Sequence, residues 1–464
     1  MRILVVGAGP TGISAGWRLA ERGHDDWLLV EGDDHPGGLA ASVVDENGFT
    51  WDLGGHVLFS HYRYFDQLMR EALGDAWVEH EREAWVWMRE RWVPYPFQNN
   101  IWRLPPDELA RCLEGLVAIQ RLAGGGEPPA NFVEWLRRSF GDGLCETFMF
   151  PYNFKVWAYE PSQLGVDWMG ERVATVDLAR VLRNLVFQRD DVNWGPNATF
   201  KFPLHGGTGA IWDALAAKLP ADRLECGRRL TAVDTANRVA TFADGSVERY
   251  DRLLSTIPCD VLLRLLADRP DLTARADEFV HSSSHVVGIG FDGSPPPSLT
   301  TKCWMYFPEP ETPFYRTTVF SNYSPNNVAR PGEQWSLMAE ISESRDKPVD
   351  ASRIIEQTIA GFRRSGFIDD STPIVTTWHR RLEHGYPTPW LGRDAVLNAV
   401  LPQLEACGIF SRGRFGTWRY EVSNQDHSAM QGVEAVDWML AGIPETTVFG
   451  GMNAEPPAIV PEEK

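Results

Sequence analysis

The sequence predicts an α/β fold in three parts: a parallel, helix-covered domain assembled from separated stretches of chain, an inserted helical domain, and an antiparallel β-sheet domain. Three observations predict it. The chain opens with RILVVGAGPTGISAGWRLAERGHDDWLLVE, in which an apolar run, a glycine turn, an amphipathic helix and a second apolar run follow one another as in a βαβ unit. Residues 105–190 then carry helical periodicity, and residues 280–380 carry alternating apolar and polar runs such as SSSHVVGIGF, FYRTTVFSNYS and WSLMAEIS.

In the opening unit, Gly7 permits the tight turn, Gly9 lets the backbone approach a pyrophosphate, and Gly12 lets the helix sit against the strand. Bound anion charge would then meet a helix N-terminus. Glu31 lies at the position of an acid that binds a ribose hydroxyl and would repel a 2′-phosphate. This is a Rossmann-type fingerprint. Two further glycine pairs follow, in HPGGLAAS, with Gly38 and Leu39, and in WDLGGHVLFSH, with Gly54, Gly55 and His56. Several backbone segments packed against one long cofactor favour FAD over NAD.

Composition narrows the class. Of 464 residues, 43% are hydrophobic and 23% charged, as in a globular protein with a sizeable core. No stretch approaches the roughly 20 consecutive apolar residues of a membrane span. The first strand begins almost at the first residue, so a cytoplasmic protein without membrane attachment is expected. The net charge of −19, with no basic run, argues against a nucleic-acid surface and requires local arginines and tyrosines to attract any phosphorylated ligand. The six cysteines are scattered, which predicts buried free thiols and no metal.

Further along, residues 62–92 predict a helix and an aromatic hairpin, AWVWMRERWVPY. In PYPFQNN two prolines oppose regular structure, leaving Tyr95, Phe97 and Gln98 displayed on an extended segment. Helices are expected at 106–122, 131–139, 143–149 and 177–188, with MFPYNFKVWAYEP and WMGERVATVD between them. The domains follow: 1–92, 193–270 and 405–464 form a discontinuous FAD-binding domain, 93–192 a helical substrate-binding domain, and 271–404 an antiparallel-sheet substrate domain.

The strings GGHVLFSHYRYFD, WVPYPFQNN, PYNFKVWA, GERVA, NWGPNATF, KCWMYFPE, HRRLEHGYPTP and RGRFGTWRYEVSNQDHS run over nearly the whole chain. In them the sequence closely resembles the eukaryotic-type UDP-galactopyranose mutases, flavoenzymes of the clan that includes the amine and protoporphyrinogen oxidases. The segment after SNYSP is shorter than in fungal members, leaving monomer and homo-oligomer both open. The resemblance implies that Tyr95, Phe97, Gln98, Asn153 and Trp157 form a base pocket, with Trp304 and Tyr306 along the sugar-nucleotide cleft. It places Arg172, Arg316, Tyr323, Tyr386 and Tyr420 on the pyrophosphate, and Arg414, Asn424 and His56 around sugar and flavin. Arg172 and Asn197 would lie in mobile flaps. NQDHSAMQG would lead, through Asn424 and Gln425, to a helix beginning near Gly432 whose positive end points at the flavin.

The implied activity is pyranose–furanose interconversion of a nucleotide-activated hexose, UDP-galactose first and a GDP-hexose as the alternative. Reduced-flavin N5 attacks the anomeric carbon, no net redox change occurs, and NADPH or NADH serves only to reduce the flavin. Residue chemistry agrees: arginine gives bidentate bonds to phosphate, tyrosine donates without mobile charge, and an aromatic beside an amide suits a base. His56 is expected to act less as an acid or base through its imidazole than through its backbone carbonyl, which would accept the hydrogen of a reduced flavin N5. His61, His384 and His427 have no serine or cysteine in a nucleophile-elbow context beside them, so no hydrolase is supported. The other readings are an amine or protoporphyrinogen-type oxidase, which would not need paired arginines and tyrosines, and a non-enzymatic FAD module.

Overall fold

The computed structural model describes residues 1–122, 127–169, 176–192 and 199–448. Its first layer is a five-stranded sheet in the order Ile409–Ser411, Arg252–Ser255, Ile3–Val6, Trp27–Val30, Leu224–Glu225, with every pairing parallel. Parallel strands are covered on both faces, which is why these read as unbroken apolar runs. Ile3 and Val5 join Ile13, Trp212 and Val433 on one side, whereas Leu4 and Val6 join Leu262, Leu397 and Val400 on the other. The expected α/β class and βαβ unit are present. The helix Arg393–Ala406 packs on this sheet through Val396, Leu397 and Val400, although residues up to 404 were expected in the substrate domain.

The second layer is a seven-stranded sheet in the order Ile374–Pro387, His281–Asp292, Gln334–Glu343, Arg316–Val319, Trp304–Tyr306, Ala84–Met88, Arg91–Pro94. It is antiparallel except where Trp304–Tyr306 runs parallel to Ala84–Met88. The aromatic hairpin of 84–94 therefore extends the substrate-side sheet, and the expected boundary at residue 92 falls inside it. One rung of this sheet aligns Tyr306, Arg316, Glu340, Val286 and Arg380. Residues directly opposite in register share a face, so the rung presents five side chains to one side.

The helical part contains Pro106–Leu122, Phe132–Leu144, Phe150–Trp157 and Leu178–Phe187. Asn131 caps the second by accepting from the Glu134 amide, and Asp177 caps the last by accepting from Ala179. The stretch expected to connect helices, MFPYNFKVWAYEP, is largely a helix itself. Pro151 sits in its first turn, where no intrahelical N–H is lost. Asn153 and Trp157, four residues apart, consequently share a face.

Candidate active site

The two sheets and the helical part enclose a cavity of about 1420 Å³. At one end lies the glycine fingerprint. Gly7 has φ of +97°, and a Cβ there would stand 2.3 Å from Thr256 Oγ1; a Cβ on Gly12 would stand 1.8 Å from the Gly7 carbonyl oxygen. Gly9 differs. The nearest atoms to a Cβ there are backbone atoms of Gly37 and Gly38, both at 3.9 Å, so close packing within the protein does not require its glycine. Gly9 lines the cavity together with Gly7, Glu31, Gly38 and Leu39. A bare backbone beside open space is what a pyrophosphate cradle needs, and the donor set fits a flavin dinucleotide. Glu31 accepts from the Ala8 amide at 2.6 Å and the Asp33 amide at 2.9 Å, which fixes its carboxylate on the wall.

The C-terminal helix spans Gln425–Ala441 with Asn424 at its N-cap, so the cavity meets the helix end at Asn424 and Gln425. Gly432 is not that end. It lies mid-helix and away from the cavity, where a Cβ would stand 2.1 Å from the Thr11 carbonyl oxygen; its smallness lets this helix cross the fingerprint helix Pro10–Glu21. Gln425 Oε1 accepts from Trp212 Nε1 at 2.8 Å. Asp426 in the first turn accepts from His61 Nδ1 at 2.6 Å and from the His61 amide at 3.1 Å. Burial would raise its pKa, but bonds from His427 and His61 outweigh burial and hold the carboxyl well below the carboxylate range.

Between the two ends run Gly54, Gly55 and His56. The His56 amide donates to the Gly54 carbonyl at 2.8 Å. Burial, reinforced by the Arg414 and Arg316 charges and opposed by Glu340, pushes the His56 pKa down to about 4. The imidazole is therefore neutral at physiological pH.

The sheet end supplies the charged and aromatic groups. Arg316 donates to Glu340 through Nε at 2.7 Å and Nη2 at 2.8 Å, in direct cross-strand register. Burial would raise the Glu340 pKa, yet the Arg316 charge brings it below its ordinary value. Arg414 lies 5.1 Å from the Tyr386 ring centroid and donates to Ser423 Oγ at 3.0 Å. Trp157 meets Tyr386 and Tyr420 edge-on at 5.8 and 4.9 Å, and Tyr95 meets Tyr306 at 5.0 Å. Trp304 donates to the Tyr306 hydroxyl. Asn153 donates to the Met149 carbonyl at 2.8 Å. All of these, with Gln98, line the cavity.

Two of the described residues expected to bind substrate do not. Phe97 is wholly buried, stacked on Phe148 at 4.3 Å, because the chain after Pro96 turns into a short 3-10 segment instead of staying extended. Tyr323 is 1% exposed and packs among Phe200, Phe202 and Phe320. Arg172 and Asn197 lie outside the described residues. The six cysteines are free, four of them buried, but Cys226 is exposed and Cys407 half-buried. The fold also gathers two His/Asp groups that sequence spacing did not reveal, His61–Asp426–His427 and Asp260–His281–His384. Hydrogen bonds knit each of them: His61 to Asp426, and His384 to Asp260 at 3.0 Å. Glu340 and Tyr315 are among the cavity-lining residues that sequence reasoning missed. The signal for Glu340 was a lone acid inside the apolar run WSLMAEIS, where a buried charge demands a partner.

Residues 10–404 match the family of flavin-containing amine oxidoreductases. A crystal structure of reduced UDP-galactopyranose mutase is 52% identical in sequence, covers 97% of this chain and 96% of its own, and superposes with a TM-score of 0.93. The chain belongs to the UDP-galactopyranose mutase family. A putrescine oxidase variant covers 95% of this chain and 99% of its own at 15% identity and a TM-score of 0.64, a likeness of fold alone. The 15-cis-phytoene desaturase of Glycine max is 35% identical over 83 residues; this match takes in 17% of the present chain and 14% of the desaturase. No helix among the described residues is long and apolar enough to cross a membrane.

Proposed function

We propose that this protein is an FAD-dependent mutase that interconverts the pyranose and furanose forms of UDP-galactose. The observation that carries the reading is the continuity of one cavity from the Gly7–Gly9 cradle to the sheet rung bearing Tyr306 and Arg316. A flavin oxidase needs the first end; a diphosphate subsite accounts for the second. When bound and reduced, the flavin supplies the nucleophile for the anomeric carbon, with no net redox change. Gly7, Gly9, Gly38, Leu39 and Glu31 would hold it, with Asn424 and Gln425 presenting a helix N-terminus.

The chain's own contribution is positioning and charge. Tyr95, Gln98, Asn153 and Trp157 receive the base, and Arg316 with Arg172, Tyr386 and Tyr420 receives the diphosphate, with Asn197 as a further substrate-binding residue. Arg414 and His56 lie toward the sugar. Because the protein as a whole is strongly acidic, these local cations must supply the attraction for an anionic substrate and stabilise the departing diphosphate. A neutral His56 positions and does not act as a cationic acid. NADPH or NADH enters as a reductant of the flavin and takes no part in the sugar chemistry.

Dithionite-reduced protein incubated with a panel of UDP- and GDP-hexoses, followed by chromatography, tests the reading. The expected result is a furanose product from UDP-galactopyranose without net consumption of reductant. Oxygen uptake driven by the sugar nucleotide, or no new product with any donor, would overturn it.

A further inference from the structure

Glu340 is 4% exposed and lines the cavity. Its four acceptor positions are all taken. Oε1 accepts from Arg316 Nε at 2.7 Å and from the Gly55 amide at 3.1 Å; Oε2 accepts from Arg316 Nη2 at 2.8 Å and from the Tyr315 hydroxyl at 2.9 Å. Two of the four donors belong to the arginine assigned to the diphosphate, and one belongs to the loop that runs Gly54–His56 toward the flavin end. The closeness is built in: a Cβ on Gly55 would stand 2.7 Å from Glu340 Oε1 and 3.3 Å from Arg316 Nη2. Among the described residues Arg316 Nη1 makes no hydrogen bond, so the edge turned away from Glu340 is the one left for a ligand.

We propose that Glu340 is a positioning residue that couples the diphosphate subsite to the Gly54–His56 loop. The inference rests on the function proposed above and deepens it. By holding the Nε and Nη2 edge of Arg316, the carboxylate offers the Nη1 edge to a phosphate. A diphosphate bound there makes one guanidinium serve two anions. The bonds from Arg316 to Glu340 weaken, and a buried carboxylate that loses donor strength leans harder on those that remain. The Gly55 amide is one of them. Occupation of the diphosphate subsite is thereby transmitted to the backbone of the Gly54–His56 loop without any ligand contact to that loop.

The test uses the full-length, FAD-loaded, oxidised protein. UDP and uridine are titrated separately, binding is measured by calorimetry, and the flavin difference spectrum and midpoint potential are recorded at saturation. Uridine lacks the diphosphate and serves as the control. The expected result is a spectral and potential shift with UDP that uridine does not produce. In Glu340→Gln, which replaces one acceptor oxygen by a donor, UDP still binds but its specific shift falls about fivefold or more. Glu340→Asp, which shortens the reach by one methylene, is expected to lose the shift likewise. A shift that survives in either variant overturns the proposal, and so does a wild-type shift equal for UDP and uridine, a comparison that needs no variant to fold. Failure of UDP to bind the wild-type protein would overturn the functional reading itself, whereas binding with unaltered coupling overturns this inference alone.

Discussion

Behind the glycine-lined end of the cavity, backbone lies against backbone: Gly12 against Gly7, and Gly432 against Thr11, each at a distance no side chain permits. At the sheet end, side chains hold side chains: Arg316 on Glu340, Arg414 beside Tyr386, Trp157 edge-on to Tyr420. The first construction is intolerant of any added atom and indifferent to charge. The second tolerates reshaping but depends on every buried charge keeping its partner. Substitutions at the two ends should therefore fail in different ways.

The largest effect is expected at the rigid end. Gly12→Val should cost more than about 4 kcal/mol, since the helix must move off its strand, and should yield protein without flavin absorbance. Stable yellow protein with this substitution would erase the contrast. Arg316→Ala at the other end should leave the flavin spectrum intact and abolish UDP binding by calorimetry. It should also cost about 3 kcal/mol in urea unfolding, because Glu340 is left buried without its cation.

Much of the first end was legible in sequence and less of the second. Gly7, Gly9, Gly12 and Glu31 act locally, through turns and short spacings that a reader of the chain can see. The Arg316–Glu340 pair joins strands 24 residues apart, and only the register of the sheet sets those side chains opposite each other. Gly432 misled because its role is a helix crossing, a tertiary fact, while the Asn424 side chain at the true helix start makes no capping bond to the helix. Phe97 misled because two prolines indicate irregular backbone without saying which side chain turns inward. Its neighbour Gln98, equally shielded at 2% exposure, reaches the cavity where Phe97 does not.

A third prediction concerns pH. His56 titrates at about 4 when folded and near 6.5 when unfolded. As pH falls, the unfolded chain takes up the proton first. Stability conferred by the neutral imidazole is complete above about pH 6.5 and is lost on descending to about pH 4, by roughly 3 kcal/mol. Unfolding curves across that window should flatten in His56→Gln; an unchanged slope would show that another group is responsible. The smallest effect separates the two neighbours: Phe97→Leu should lower stability by about 1 kcal/mol while leaving UMP affinity unaltered, and Gln98→Ala should do the reverse. Equal loss of affinity in both would return Phe97 to the base pocket.

In the proposed function one continuous cavity joins a flavin cradle to a diphosphate subsite for chemistry without turnover of electrons. The direct measurement is the rate of UDP-galactopyranose to UDP-galactofuranose conversion under anaerobic conditions, compared between fully reduced and fully oxidised protein. Conversion by the reduced form alone, with the flavin still reduced after many turnovers, is the predicted result. Equal rates in both redox states, or flavin oxidation in proportion to product, would contradict it.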